Sequence, residues 1–479
     1  MNTMSAAAEL AKRAPFAGPS EDDGTARARV VGTLPEWLRG TLVRTAPMFG
    51  ASLPWEPTHL FDALALAFAV DLGGPEMTLR WARIDSDTAR AARNGRVPRA
   101  HFKTPNGRGF LQRLFGPVPK GTDNTNVNVV RMGNDLVALT ESPHQWTLDP
   151  ATLRARERVR YDDHLTRSGI MLAHPIIANT GGVTNIVYNM SKQAEIMLYT
   201  HDAASRSRKL VGSWKTANLP YMHSFGLTER AGIVIAHPFT AKPMSMLWSN
   251  AGFIDHFRWQ PERGTRLVVI DRAAGPTQTP REYETDPFFF FHVAHAFETK
   301  EATVVDLVGY DDVRIIDAGT TRALLGSPPE LRAKLRRVSI DRRTGKVRSE
   351  ILSDTEFEFP QADTERARGR AVSTVFGASV GLDQSVLTGD IVAVDPSTGD
   401  ARRFREAPWI FGEPVFVGKP DRTREGDGVL LAVGSGSGSG SQEHASALFV
   451  LDAGTFDVLA RAEFGTPLPL GLHGTFLPS

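Results

Sequence analysis

The chain predicts an all-β protein, and three observations carry that prediction. Strand-like runs closed by Gly, Asn, Asp or Pro turns dominate it, and helical patterns are few. One stretch, Asp286-Pro-Phe-Phe-Phe-Phe-His292-Val-Ala-His295-Ala-Phe-Glu298, reads as a strand buried on both sides. A looser motif recurs seven times: a strand ends in Asp and the chain turns, at Asp71, Asp149, Asp202, Asp271, Asp341, Asp395 and Asp452. An Asp there can bond its own backbone and start the turn. Repeated β units of this size suggest a β-propeller with insertions, although a strand–Asp–turn occurs in other β proteins too.

Each element follows from local sequence. Val127-Asn-Val-Val-Arg-Met132, then Gly-Asn-Asp135, then Leu-Val-Ala-Leu-Thr140-Glu141 forms a hairpin. Thr184–Tyr188, Ile196–Tyr199, Leu267–Ile270, Thr303–Leu307, Ile391–Val394 and Ala447–Leu451 repeat that pattern. Residues 1–28 form an N-terminal arm, with at most a short helix from Ala6. Two apolar insertions, 105–120 and 240–260, interrupt the pattern. The second partly fits an amphipathic helix, and Pro328–Leu335 reads as a further short helix. The Ser-Gly run from Ser435 to Ser441 is a flexible loop inside a late hairpin. Residues 1–479 thus read as one domain.

Composition limits the function. With 55 Lys+Arg against 54 Asp+Glu, the chain carries no nucleic-acid signal. It has no cysteine, which excludes disulfides, thiolate metal sites and thiol catalysis and fits a reducing cytoplasm. No segment has the ~18–20 apolar residues of a spanning helix. The N-terminus lacks a signal-peptide core. The expected location is the cytoplasm, with peripheral membrane contact left open and no obligate protein partner evident.

Any metal must therefore be held by His and carboxylate. Thirteen histidines are present, and most should make ordinary hydrogen bonds. His174, His223 and His292 share a context: each precedes a turn that opens five to seven residues later. Equivalent positions on equivalent strands of a closed β array would bring three imidazoles to one level. His473, flanked by Gly471 and Gly474, offers a fourth. Glu141, Glu358 and Glu413 lie in apolar surroundings, where a carboxylate is rarely left unpaired. Each could bond the Nδ1–H of a ligand histidine and fix its tautomer; a salt bridge or strand-end turn is the plainer reading of each alone. His295 should point away from His292, because side chains alternate along a strand. His237 is expected to face a neighbouring blade. No HExxH, GxSxG or phosphate-loop motif occurs.

In order along the chain, Gly32-Thr-Leu-Pro-Glu36-Trp-Leu-Arg-Gly40, His59-Leu-Phe-Asp62, Thr122-Asp-Asn-Thr-Asn126, Thr140-Glu-Ser-Pro143, Ala173-His-Pro175, Tyr221-Met-His-Ser-Phe225, Phe288–Glu298, Glu358-Phe-Pro-Gln361, Glu413-Pro-Val-Phe-Val417 and His473-Gly-Thr-Phe476 resemble the carotenoid cleavage oxygenase family, which includes a retinoid isomerase and stilbene-cleaving oxygenases. The resemblance implies a seven-bladed β-propeller with a helical cap over the active-site face. It implies Fe(2+) held by His174, His223, His292 and His473, with Glu141, Glu358 and Glu413 behind them and Phe359 lining the substrate tunnel. The implied reaction is non-haem Fe(II) dioxygenase cleavage of a C=C bond of a carotenoid or apocarotenoid with O2, giving carbonyl products. The apolar insertions would then form a rim that takes lipid-soluble substrate, or else pack the cap. Alternatives are cleavage of a stilbene-type phenolic, a specialised isomerase and a non-catalytic propeller scaffold; a zinc hydrolase fits four histidines poorly. Ala63, His295 and Ala362-Asp363 depart from the usual Gly, Asn and Ile-Asn, which bears on substrate fit more than on chemistry.

Overall fold

The structure is a computed structural model. It describes residues 5–479 except 51–52, 75, 99, 107–120, 166–168, 179, 191–192, 247–248, 327, 368, 381–388 and 437–444.

The seven Asp-terminated runs mark seven antiparallel blades, one per blade, each on the third strand counted from the inner edge or just past its end. Six of these aspartates accept backbone N–H groups of their own turn: Asp149 from Ala151 and Thr152, and Asp202, Asp271, Asp341, Asp395 and Asp452 in the same way. Asp71 instead binds Arg80, Thr41 and Thr78.

Blade one joins both ends of the chain. Its order is Asp23–Arg27, Thr78–Arg83, Leu64–Leu72, Gly40–Met48 and Gly474–Pro478. The end of the expected N-terminal arm is thus an edge strand. Blade two runs from Asn128–Met132 to Ala155–Arg158, and blade three from the interrupted pair Gly169–Met171 and Ile176–Ile177 to Lys209–Thr216. Blade four runs from Gly226–Leu227 to Arg281–Thr285. Blade five begins with Phe289–Glu298 and ends with Val347–Gln361, whose second half opens blade six. Blade seven takes Arg29–Gly32 as its outermost strand, beside Val458–Phe464.

The cap is built of short pieces: the helices Arg314–Ala318 and Thr321–Leu325 and the 3₁₀ turn Leu60–Asp62, with His59 bridging to Thr320. Two helical expectations are corrected. Pro328–Leu335 is extended, because Leu331 and Ala333 alternate into the core ahead of the strand Lys334–Asp341. Among its described residues, the helical content of the 240–260 insertion is limited to the 3₁₀ turns Pro243–Met246 and Phe253–His256, between the short strands Phe239–Ala241 and Arg258–Trp259. Ile254 and Phe257 are buried in the main core and Met244 is exposed, so this segment chiefly packs the cap. The 105–120 insertion lies outside the described residues from 107 onward, and so does most of the Ser-Gly run. Among the described residues, no helix is long and apolar enough to cross a membrane.

Candidate metal centre

Every blade delivers one of the seven predicted residues to the centre. His174 lies at the break in the inner edge of blade three, where Asn128 and Asn185 bond the carbonyls of Ala173 and Leu172. His223 precedes the inner strand of blade four. Its neighbour Ser224 donates to the Phe291 carbonyl at 2.6 Å and accepts from Val293 N–H at 3.0 Å, which ties this segment to the blade-five strand. His292 sits on that strand between two bulges, after Phe290 and after Val293. A bulge bends a strand and re-aims its side chains. His473 precedes the last strand of the chain, held by Thr45 N–H on its carbonyl at 3.2 Å. Glu141 follows Asp135–Leu139 in blade two; Glu358 lies on Val347–Gln361 where it opens blade six, and Glu413 at the break between Ile410–Phe411 and Val415–Gly418 of blade seven.

The four imidazoles converge. One ring nitrogen from each lies within 4.8 Å of the others. The Nε2 atoms of His174 and His223 are 2.9 Å apart, and those of His292 and His473 are 3.0 Å apart. His223, His292 and His473 are buried, and His174 is partly so. Each of the three buried rings gives its Nδ1–H to a carboxylate: His223 to Glu141 at 2.5 Å, His292 to Glu358 at 2.6 Å, His473 to Glu413 at 2.9 Å. With Nδ1 protonated, a neutral ring presents a lone pair at Nε2. The lone pairs of His292 and His473 then face one another at 3.0 Å. Burial and the neighbouring rings hold His174 and His473 well below the usual histidine range; burial also lowers His223, against the pull of Glu141. Proton sharing is therefore disfavoured, and a metal cation is the partner that satisfies all four nitrogens. The donor set fits one.

The carboxylates are themselves anchored by groups that sequence reasoning missed. Tyr221 donates to Glu141 at 2.9 Å, Tyr310 to Glu358 at 2.8 Å, and Gln361 to Glu413 at 2.9 Å. Buried Arg44 also reaches Glu413. Burial pushes the Glu413 carboxyl up to about 7, opposed by Arg44. A charged residue within the apolar run Leu42-Val43-Arg44 was the available signal. Phe359 adopts a left-handed backbone, φ 56°, uncommon for a bulky residue. Its N–H bonds Glu358, and its ring lies 5.4 Å from those of both His292 and His473.

Two residues fall outside the cluster, as expected. His295 bonds the Arg370 carbonyl through Nε2 at 2.8 Å. His237 is fully buried against Phe289 and Phe290 of blade five.

Two spaces meet the imidazoles. A narrow apolar cavity of about 50 Å³ lies under the cap, walled by Phe61, Val127, Phe291, Ile315, Phe359 and Leu472 beside His223, His292 and His473. A polar channel of about 800 Å³ touches His174, His292 and His473 and is lined further out by Gln361, Arg272 and Glu229.

The chain is similar to known proteins in sequence and in fold. The chain is 28% identical to a carotenoid isomerooxygenase of Galleria mellonella, over 94% of this chain and 93% of that protein. It is 28% identical to a mitochondrial carotenoid-cleaving dioxygenase of Macaca fascicularis, over 94% and 92%. An apocarotenoid oxygenase variant from Synechocystis superposes with a TM-score of 0.84 at 20% identity, covering all of both chains; its cobalt-substituted form gives 0.83. Residues 17–478 match the family described as retinal pigment epithelial membrane protein, and the chain belongs to that family of carotenoid oxygenases.

Proposed function

We propose that the protein is a non-haem Fe(II) dioxygenase that cleaves one C=C bond of a carotenoid or apocarotenoid with O2, each oxygen atom ending in one of two carbonyl products. The observation that carries this reading is the set of four imidazoles with one nitrogen of each within 4.8 Å of the others, three of them buttressed by carboxylates. Fe(II) suits imidazole donors; His174, His223, His292 and His473 would hold it, and it would supply O2 activation there. The names of the relatives, carotenoid-cleaving dioxygenase and carotenoid isomerooxygenase, support the substrate class.

The chain's own residues bind and orient. Glu141, Glu358 and Glu413 fix which nitrogen of each ring faces the metal. The cavity walls exclude water and hold the polyene so that one bond meets the centre. The few polar groups on those walls are occupied: His59 accepts from Phe61 N–H and donates to the Ile316 carbonyl, and Tyr310 donates to Glu358. Among the described residues, no side chain there is left to hold a phenol hydroxyl, which favours a polyene over a stilbene phenol. Steric register then chooses the bond. We place the protein in the cytoplasm, in peripheral contact with membranes, where such a substrate partitions.

The test is anaerobic Fe(II) loading, then a panel of carotenoids and apocarotenoids in air, with O2 uptake and chromatography of the aldehydes. Near-stoichiometric iron, lost in His292→Ala, together with consumption of one substrate class is the expected result. A well-folded protein that retains no iron would make it a scaffold.

A further inference from the structure

Three carboxylates stand behind the imidazoles, and they are not alike. Glu141 receives the Tyr221 hydroxyl; Glu358 receives the Tyr310 hydroxyl and the Phe359 N–H. These donors are neutral. Glu413 receives the Gln361 amide on Oε1, while its Oε2 lies 3.5 Å from Nη2 of Arg44.

Arg44 has no exposed surface. It stands on Gly40–Met48 of blade one and reaches across to the segment that carries His473. Nη1 donates to the Glu413 carbonyl at 2.6 Å, and Nη2 to the carbonyls of Gly471 and Leu472 at 3.2 and 3.1 Å. The glycines around His473 are shaped to it. A Cβ at 471 would come within 2.6 Å of Arg44 Nε, and one at 474 within 2.6 Å of Arg44 Cγ. Taking a guanidinium wholly out of water is costly, and neutral donors serve the other two carboxylates. The charge itself therefore needs a reason. With neutral imidazoles, three carboxylates and one guanidinium give the site two net negative charges, which a divalent cation cancels. Without Arg44 the balance would suit a trivalent ion.

We propose that Arg44 is a positioning residue that acts through Glu413 and the His473 backbone, and that its buried charge holds the metal in the ferrous state. The inference rests on the Fe(II) reading above. Charge in a low-dielectric surround is screened little, so a single guanidinium one carboxylate away weighs on the ferrous–ferric balance.

The experiment compares wild type, Arg44→Met, Arg44→Lys, Glu413→Gln and the double variant Arg44→Met/Glu413→Gln. Each is loaded anaerobically with Fe(II) and poised at one ambient potential. The ferric-to-ferrous ratio is read by electron paramagnetic resonance and Mössbauer spectroscopy, beside iron per chain. Arg44→Met should raise the ratio about tenfold, equivalent to about 59 mV for a one-electron couple. Lys should restore the wild-type ratio, and so should the double variant, which removes one charge of each sign. A mere strut predicts otherwise: the double variant would be as impaired as Arg44→Met, with iron lost and the ratio of what remains unmoved. That result overturns the proposal. Should Arg44→Met alone not fold, the comparison moves to Glu413→Gln, where adding Arg44→Met must raise the ratio about tenfold. A wild type that holds no iron sinks the Fe(II) reading with it; a wild type that holds iron, with a ratio indifferent to Arg44, sinks only the role of this residue.

Discussion

His237 shows what a buried imidazole costs when nothing receives its nitrogens. It is fully buried, and neither ring nitrogen has a hydrogen-bond partner among the described residues. Burial lowers it to about 3, and burial lowers His59 to about 4. Unfolded, both rings take up a proton near pH 6.5; folded, both stay neutral down to those values. The unfolded state therefore binds more protons below pH 6.5, and stability is lost as pH falls from there toward 4. The loss is about 1.4 kcal/mol per pH unit for each ring. His237→Phe, among Phe289, Phe290 and Tyr221, should flatten that acid limb by one ring and raise stability at pH 7 by about 1 kcal/mol, since an orphaned polar group is removed. Urea unfolding at pH 7 and pH 5 measures both effects; an equal acid slope in the variant would contradict it. Legibility at this scale was uneven. The four histidines and three glutamates stood out because polar residues in apolar runs need partners. Tyr221, Tyr310 and Gln361 did not, because their role depends on how segments distant in sequence pack beside one another around the ring.

At the scale of the element, the phenylalanine run divides its work between two faces. Phe288 and Phe290 enter one hydrophobic cluster with Ile233, Ile235 and Leu307. Phe289 and Phe291 enter the main core on the other side. Phe291 also packs on His223, with ring centroids 5.1 Å apart. Truncation of either face should cost about 3–5 kcal/mol. Only one face should disturb the metal: Phe290→Ala lowers the unfolding midpoint with iron content kept, and Phe291→Ala lowers both. Calorimetry beside metal analysis separates the two, and equal iron loss would break the assignment. The strand and its double burial were readable from composition alone. The cap helices were not, because five-residue helices such as Arg314–Ala318 carry no periodicity and are stabilised by packing.

At the scale of the molecule, the site exists because the ring closes. Gly40–Arg44 pairs with Gly474–Pro478, and Arg29–Gly32 pairs with Val458–Phe464, so strands from the two ends of the chain complete blades one and seven. The first of these closures carries Arg44 on one strand and begins beside His473 on the other. The last few residues, by pairing with the first blade, set the two side by side. The Asp-terminated repeat announced seven units in the sequence, yet it held no trace of this closure, because the pairing joins segments more than four hundred residues apart. A chain ended after His473 tests the dependence. It keeps every imidazole and every carboxylate of the cluster and loses only the pairing strand. Five register pairs vanish, on the order of 3–5 kcal/mol if each hydrogen bond contributes about 1 kcal/mol. The unfolding midpoint should fall by several degrees, and iron per chain should fall with it, because His473 then keeps only its Glu413 bond, the Thr45 contact and the Arg44 bonds to the two residues before it. Refolding the truncated chain with a synthetic Gly474–Ser479 peptide should recover part of both losses. A truncated chain that binds iron at full stoichiometry would show that the centre assembles without the closure.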